Sequence, residues 1–319
     1  MYREQDPKPE RPLEEDMETQ GAVYTNVIDE VEEDLVKYLE ERSKSARKAK
    51  FINYPGGDFY AFEDLNKIFS LAPARNFVEV FGGSCYSSMN VSHDKFKVIV
   101  CNDIDSDLIN LYRLVKDNPA EVQKRLSILP FSKEVYMIAK DILNDPKADP
   151  LTRAVMLFYL IRVSILGIVG NGFTVSKSRE RAKNFTNAIS LIKEYAKQMR
   201  DIAFENRSYE EILKLYDSDK TLFYLDPPYV STKKLQERGG RKGLYRNDFT
   251  IEDLMKMAQM LKSIKGYFVL KLSKDNYELI KDILPSHSYV ESNKKLNLYN
   301  AKGRARPEWT MVIAYNFHR

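Results

Sequence analysis

Asp226-Pro227-Pro228-Tyr229 directly follows the apolar run Thr221-Leu-Phe-Tyr-Leu225. Proline fixes its backbone torsion and has no N–H, so this segment offers mainly acceptors: the proline carbonyls and the Asp226 carboxylate. Such a cradle suits an –NH2 group, whose two N–H bonds need two acceptors. The Tyr229 ring can stack on the flat system that carries the amine. Ligands of open α/β sheets bind at the carboxyl ends of the strands, and residues 221–225 read as a strand. Asp-Pro is also a common turn dipeptide; its place after a buried strand favours the chemical reading.

Three further segments fit a ligand site. Phe77-Val-Glu-Val-Phe-Gly-Gly-Ser84 is an apolar strand running into paired glycines, which permit a tight turn and close backbone approach. It lacks the GxGxxG dinucleotide fingerprint. Cys101-Asn102-Asp103 ends the next strand. An acid at that point, about 20 residues beyond the glycines, can accept hydrogen bonds from ribose hydroxyls, although Asp103 or Asp105 could instead cap a helix. Tyr54-Pro55-Gly56-Gly57 reads by itself as a turn. The two cysteines, Cys85 and Cys101, lack zinc-site spacing; neither a disulfide nor a bound metal is expected from them.

The elements that must position these residues alternate. Strands are expected at 76–81, 97–101, 221–225 and 267–272, with closing strands at 286–291 and 309–317. Helices are expected at 106–126 and 251–264. Alternation of this kind implies an α/β fold with a doubly wound, mostly parallel sheet. The stretch 130–205 is helical and strand-poor and reads as an insert. Residues 1–25 are rich in Pro and Glu and are expected to lack order. Residues 26–50 can form a charged helix that ends in the basic run Arg42–Lys50.

The net charge of +4 conceals a division. Residues 1–41 hold 4 Lys/Arg and 14 Asp/Glu, a balance of −10, while residues 42–319 hold 46 and 32, a balance of +14. So basic a body suits a polyanionic partner. Two basic segments flank the expected cleft. The first is 232–246, with Lys233, Lys234, Arg241 and Arg246; the second is 294–306, with Lys302, Arg304 and Arg306. The apolar run Ala154–Ile161 is too short to span a membrane. Met1–Asp16 has no apolar signal core, so a cytoplasmic location is expected.

In combination and in this order, the segments resemble the Dam-type (D12 class) adenine-N6 DNA methyltransferases over about residues 50–316. Phe158-Tyr-Leu-Ile-Arg162 resembles that family's Phe-Leu-Asn-Arg helix, and Tyr245 with Phe249 resembles its Tyr-x-x-x-Phe loop. Three positions depart from its pattern. The lysine after Gly-Gly is Asp58, the glycine ending the first loop is Cys85, and the Asp of an Asn-x-Asp-Phe element is Ser208, before Tyr209.

The resemblance implies a Rossmann-like S-adenosylmethionine-dependent fold. Residues 51–129 would form the cofactor-binding part, 130–205 a target-recognition insert and 206–319 the catalytic part, after an extension over 1–50. It implies a pocket for S-adenosylmethionine lined by Tyr54, Gly56, Phe81, Gly83, Asp103, Tyr209 and Asp226, with Asp226, Pro227, Pro228 and Tyr229 as the catalytic tetrad. The target adenine would be flipped out of double-stranded DNA. The basic residues above, with Arg162, Lys177 and Arg179, would contact that DNA. A cognate restriction endonuclease is a partner that such an enzyme can have. Two other readings stay open: an RNA or cytosine-N4 amino-methyltransferase, and an inactive DNA-binding descendant.

Overall fold

The computed structural model describes residues 51–52, 54, 57–175, 180–230, 249–295 and 308–317. Among these, seven strands form one sheet in the order β3-β2-β1-β4-β5-β7-β6. The strands are β1 Asn76–Glu79, β2 Val98–Asn102, β3 Ile202–Glu205, β4 Thr221–Leu225, β5 Tyr267–Ser273, β6 Ser288–Lys295 and β7 Glu308–Tyr315. β1 pairs in parallel with β2 and with β4, in register Asn76↔Val98 and Asn76↔Thr221. β3 adds in parallel to β2, β5 to β4, and β7 runs antiparallel between β5 and β6.

A parallel sheet must be covered on both faces, so its strands are apolar on both sides. Along β4, Leu222 and Tyr224 enter one core while Phe223 and Leu225 enter the other. The first core also takes Phe77, Ile99 and Val269, with Leu65 and Phe69 of α1 (Phe62–Leu71) and Leu108, Leu111 and Tyr112 of α3 (Ser106–Asp117). The second takes Val78, Val100 and Phe268, with Ile212 of α9 (Tyr209–Tyr216) and Leu254 and Met257 of α10 (Ile251–Leu261). A short helix, α2 (Tyr86–Asn90), connects β1 to β2.

The sequence-based outline needs three corrections. First, the helix expected over 106–126 is broken, because Pro119 opens a second helix, α4 (Pro119–Ser127), at a position where its missing N–H costs nothing. Second, the insert gives up its last residues: Ile202–Glu205 pairs with β2 and belongs to the sheet. The remainder is helical, with α5 (Lys133–Asn144), α6 (Pro150–Val163), α7 (Arg181–Ser190) and α8 (Ile192–Met199). In α6 the eight residues Ala154, Val155, Leu157, Phe158, Tyr159, Leu160, Ile161 and Val163 are all buried, and they extend the first core into the insert. Arg153 ties it to α3 through two 2.8 Å hydrogen bonds to the Asp107 carboxylate.

Third, Cys85 and Cys101 form a disulfide, Cα to Cα 6.0 Å. The turn after β1 folds back over the end of β2, which brings together two residues 16 apart in sequence. No helix among the described residues is long and apolar enough to cross a membrane.

Candidate active site

In a doubly wound sheet the chain reverses its direction of winding at one point, and the crevice there takes the ligand. From β1 the strands proceed outward to β2 and β3, whereas β4 and β5 lie on the other side. The carboxyl ends of β1 and β4 are therefore neighbours at the switch point. They carry Val80-Phe-Gly-Gly83 and Asp226-Pro227-Pro228-Tyr229.

The turn after β1 is held tightly. A Cβ on Gly82 would lie 2.5 Å from Cys101 Sγ and 2.9 Å from the Asn102 carbonyl, so no side chain fits there. Gly83 has φ +48°, and a Cβ there would meet the Tyr54 ring at 2.9 Å. The Gly83 N–H donates to Asp103 Oδ2 at 2.7 Å, and the Asp105 N–H donates to Asp103 Oδ1 at 2.8 Å. Tyr112 donates its hydroxyl hydrogen to the Gly83 carbonyl. Burial raises the Asp103 carboxyl to about 6, against the backbone donors that favour its charge. Helix α3 is capped by Asp105, whose side chain accepts from the Asp107 N–H, so Asp103 is not the cap. Cys85, where a glycine was expected, has φ +48°, the left-handed region that glycine adopts most readily.

Asn102 staples this corner together. Its Nδ2 donates to the Val80 carbonyl at 2.9 Å and to the Arg207 carbonyl at 3.1 Å, and its Oδ1 accepts from the Arg207 N–H at 3.0 Å. That fixes the start of α9. Ser208, in place of the expected acid, is the N-cap of this helix and forms a capping box with Glu211. Tyr209 follows, stacked on Phe81 with ring centroids 6.0 Å apart, and Phe249 closes the group edge-on to both. An aromatic wall thus stands beside the half-buried Asp103 carboxylate.

At the end of β4, Asp226 retains 16% side-chain exposure. Its Oδ2 lies 2.6 Å from Lys271 Nζ, and its Oδ1 has no hydrogen-bond partner among the described residues. Lys271, on β5, also pairs with Asp58. Asp58 accepts in addition from the Ser87 hydroxyl at 2.7 Å and the Tyr224 hydroxyl at 2.8 Å. Burial raises the Asp226 carboxyl; Lys271 pulls it back down and Asp58 pushes it up. Glu79, at the end of β1, is buried, accepts from the Ser88 N–H at 2.8 Å, and is raised by burial to about 8. The segment after Asp226 is fixed at its far end. Asn276, on α11 (Lys274–Ile280), accepts from the Val230 N–H at 2.9 Å and donates to the Val230 carbonyl at 3.0 Å.

The family model for the D12 class N6 adenine-specific DNA methyltransferases matches residues 54–298, well over half of the chain. The chain belongs to that family. It is an adenine-N6 DNA methyltransferase. Relatives include the type II methyltransferase M1.LlaDCHI of Lactococcus lactis subsp. cremoris, 27% identical over 68% of this chain and 79% of the relative. The DNA adenine methylase of Escherichia coli strain K12 is 26% identical over 67% of this chain and 76% of its own length. The type II methyltransferase M.CviBI of Paramecium bursaria Chlorella virus NC1A is 22% identical over 73% and 85%.

The methyltransferase's sheet brings together Phe81, Gly83 and Asp103 at the ends of β1 and β2, and Asp226 through Tyr229 at the end of β4. Tyr54 packs on Gly83, and Tyr209 on Phe81. Gly56, Lys177, Arg179, Lys233, Lys234, Arg241, Arg246, Lys302, Arg304 and Arg306 lie outside the described residues, as does the extension over 1–50. Arg162, expected at the DNA surface, is partly buried on α6. Its guanidinium donates to the Phe51 carbonyl and lies over the Phe158 ring, 5.4 Å from the centroid, because α6 is buried around most of its circumference. The sequence reading missed Lys271, Asp58 as its partner, Glu79 and Asn276. A lone lysine inside the apolar strand Phe268-Val-Leu-Lys271-Leu was the available signal for the first, since such a charge is buried only when paired.

Proposed function

We propose that the methyltransferase acts on adenine in duplex DNA by holding the base's exocyclic amine against Asp226 and the Pro227 carbonyl, with S-adenosylmethionine as methyl donor. The observation that carries this reading is Asp226 itself: a carboxylate at the switch-point end of β4, one oxygen fixed by a cation and the other without a partner among the described residues.

The donor pocket is the turn after β1. Asp103 suits ribose hydroxyls, and the Phe81–Tyr209 stack suits a flat purine. Gly83 and Tyr54 form the adjoining wall, where the residue at 83 must lack a side chain. When bound, S-adenosylmethionine supplies an electrophilic sulfonium methyl group.

The protein's part is position and charge. The lone pair of an aromatic amine is delocalised into its ring. Two acceptors on its two N–H bonds draw the nitrogen towards tetrahedral geometry and leave the lone pair aimed away from them. The amine gives up one proton as it gains the methyl group, and Asp226 Oδ1 is the acceptor placed for it. Tyr229 would stack on the base, which must leave the duplex to reach the cradle. Charge supports a DNA partner, since residues 42–319 hold 46 basic against 32 acidic residues. The helices of the insert are the reader of sequence, and a cognate endonuclease would share the target. A cytoplasmic site of action follows from that substrate.

The test is methylation of duplex DNA, single-stranded DNA and RNA, followed by nucleoside analysis. N6-methyladenine in duplex DNA from the wild type, and its absence with Asp226→Asn, is expected. N4-methylcytosine, or product from RNA alone, would overturn the reading.

A further inference from the structure

Lys271 is 3% exposed in its side chain, yet it lies between two carboxylates, 2.6 Å from Asp226 Oδ2 and in contact with Asp58. A lone ammonium in such a place would shed its proton to escape desolvation. Here burial works against the charge, but Asp226 and Asp58 together hold its pKa well above the ordinary lysine value. The two carboxylates on either side of the ammonium thus favour its charged form.

The two anions are not equivalent. Asp58 is fully engaged: Tyr224 and Lys271 bond to one oxygen and Ser87 to the other. It sits on the 3-10 turn Asp58–Tyr60 and is itself buried. Asp226 is bonded through Oδ2 only. The charged and titratable groups that act on Asp226 and Lys271 come from four elements: Asp58 from the turn, Glu79 from β1, Tyr224 from β4 with Tyr229 just beyond it, and Lys271 from β5. Among the described groups with resolved interactions, Lys271 is the one cation of the set. Without it, the carboxyl groups of Asp58, Glu79 and Asp226 would face one another with no cation of the set among them.

We propose that Lys271 is the positioning residue of this methyltransferase: it favours the carboxylate form of Asp226 and fixes which oxygen faces the target amine, while Asp58 serves as the counter-anion that anchors it. Asp58 takes the place after Gly-Gly where a lysine was expected. The cation of this site thus comes from the middle of β5, and the site carries it at a different point of the fold. The inference rests on the adenine-amine reading for its catalytic meaning, but the coupling among the three side chains can be read without turnover.

The experiment follows the carboxyl resonance of Asp226 in protein labelled with 13C-aspartate, assigned by its loss in Asp226→Asn, between pH 4 and 10. It compares the wild type with Lys271→Met and Asp58→Asn, and methyl-transfer rates are taken on the same samples. A neighbouring cation or anion moves a carboxyl by about one pH unit or more. Lys271→Met should move the Asp226 titration upward by that much, and Asp58→Asn should move it downward. The acid limb of kcat should follow in the same opposite directions, with KM for the methyl donor altered less than about threefold. A lysine that only fills space would move neither limb in this paired way. If Lys271→Met does not fold, the downward shift in Asp58→Asn decides alone. An Asp226 titration that stays within about 0.3 pH units in the folded variants overturns the proposal. Shifts as expected in a wild type that yields no N6-methyladenine would instead count against the adenine reading and leave the coupling standing.

Discussion

The backbone N–H of Gly83 donates to Asp103 Oδ2 at 2.7 Å, so one carboxylate both ties the turn after β1 to the end of β2 and faces the proposed donor pocket. Asp103→Ala removes both roles and should weaken donor binding by about 1.5–3 kcal/mol, the size of a hydrogen bond to a charged group. Asp103→Asn keeps an acceptor for Gly83 and should lose less. The carboxyl is raised to about 6, and its ionised form is the better acceptor for hydroxyls. Donor affinity measured by calorimetry should therefore hold above about pH 6 and fall as pH drops through it. Affinity that is flat from pH 5 to 8 would confine Asp103 to holding the turn.

Glu79 gives a pH dependence of stability with a definite sign. Its carboxyl is raised from 4.5 to about 8, chiefly by burial. The folded state thus holds a proton that the unfolded state has released. This stabilising contribution is complete below about pH 4.5 and is lost as pH rises to about 8. Glu79→Gln, neutral throughout, should remove that slope and exceed the wild type in stability above pH 8. Denaturant unfolding of both proteins at pH 5, 7 and 9 reads it; parallel stability profiles would mean that Glu79 is ionised in the fold.

Asn276, on α11, fixes Val230 at the end of the proposed catalytic segment. Asn276→Ala leaves the Val230 N–H and carbonyl without their partners. Each buried unsatisfied group costs about 1–3 kcal/mol. The variant should lose stability of that order and lower kcat more than donor affinity, since the proposed donor pocket lies at the ends of β1 and β2. Loss of donor binding with kcat retained would contradict this division.

Ser208 caps α9 where an acid was expected. Aspartate is as good an N-cap as serine. Ser208→Asp should therefore leave the unfolding free energy within about 0.5 kcal/mol and tighten donor binding if the added carboxylate reaches the ligand. A destabilised variant, or unchanged donor affinity, would show that the serine's role is the cap alone.

Much of this site could be read from the chain because the signals are local. Thr221–Leu225 announces itself as a buried strand, and Asp226 must then fall at its carboxyl end. Gly82 and Gly83 likewise mark a turn that admits no side chain at 82. What escaped depends on contacts between distant residues. Lys271 and Asp58 are 213 positions apart; the apolar strand around Lys271 marks it as a charge in need of a partner, but nothing local names Asp58 as that partner. Cys85 and Cys101 pair only because the turn after β1 crosses the end of β2. Ile202–Glu205 is too short, and too close to the helices before it, for its period to be seen; its partner β2 makes it a strand. Arg162 was read from its motif as a DNA contact; its bond to the Phe51 carbonyl, 111 positions away, has no local signal.

The central claim is that Asp226 directs methylation to adenine N6 in DNA. Its most direct test is mass spectrometry of nucleosides from duplex DNA incubated with S-adenosylmethionine and either the wild type or a folded Asp226→Asn variant. The account predicts N6-methyladenine from the wild type and at least a hundredfold less from the variant, about 2.7 kcal/mol or more of lost transition-state stabilisation. Equal yields from the two proteins, or modified cytosine in place of adenine, would contradict it.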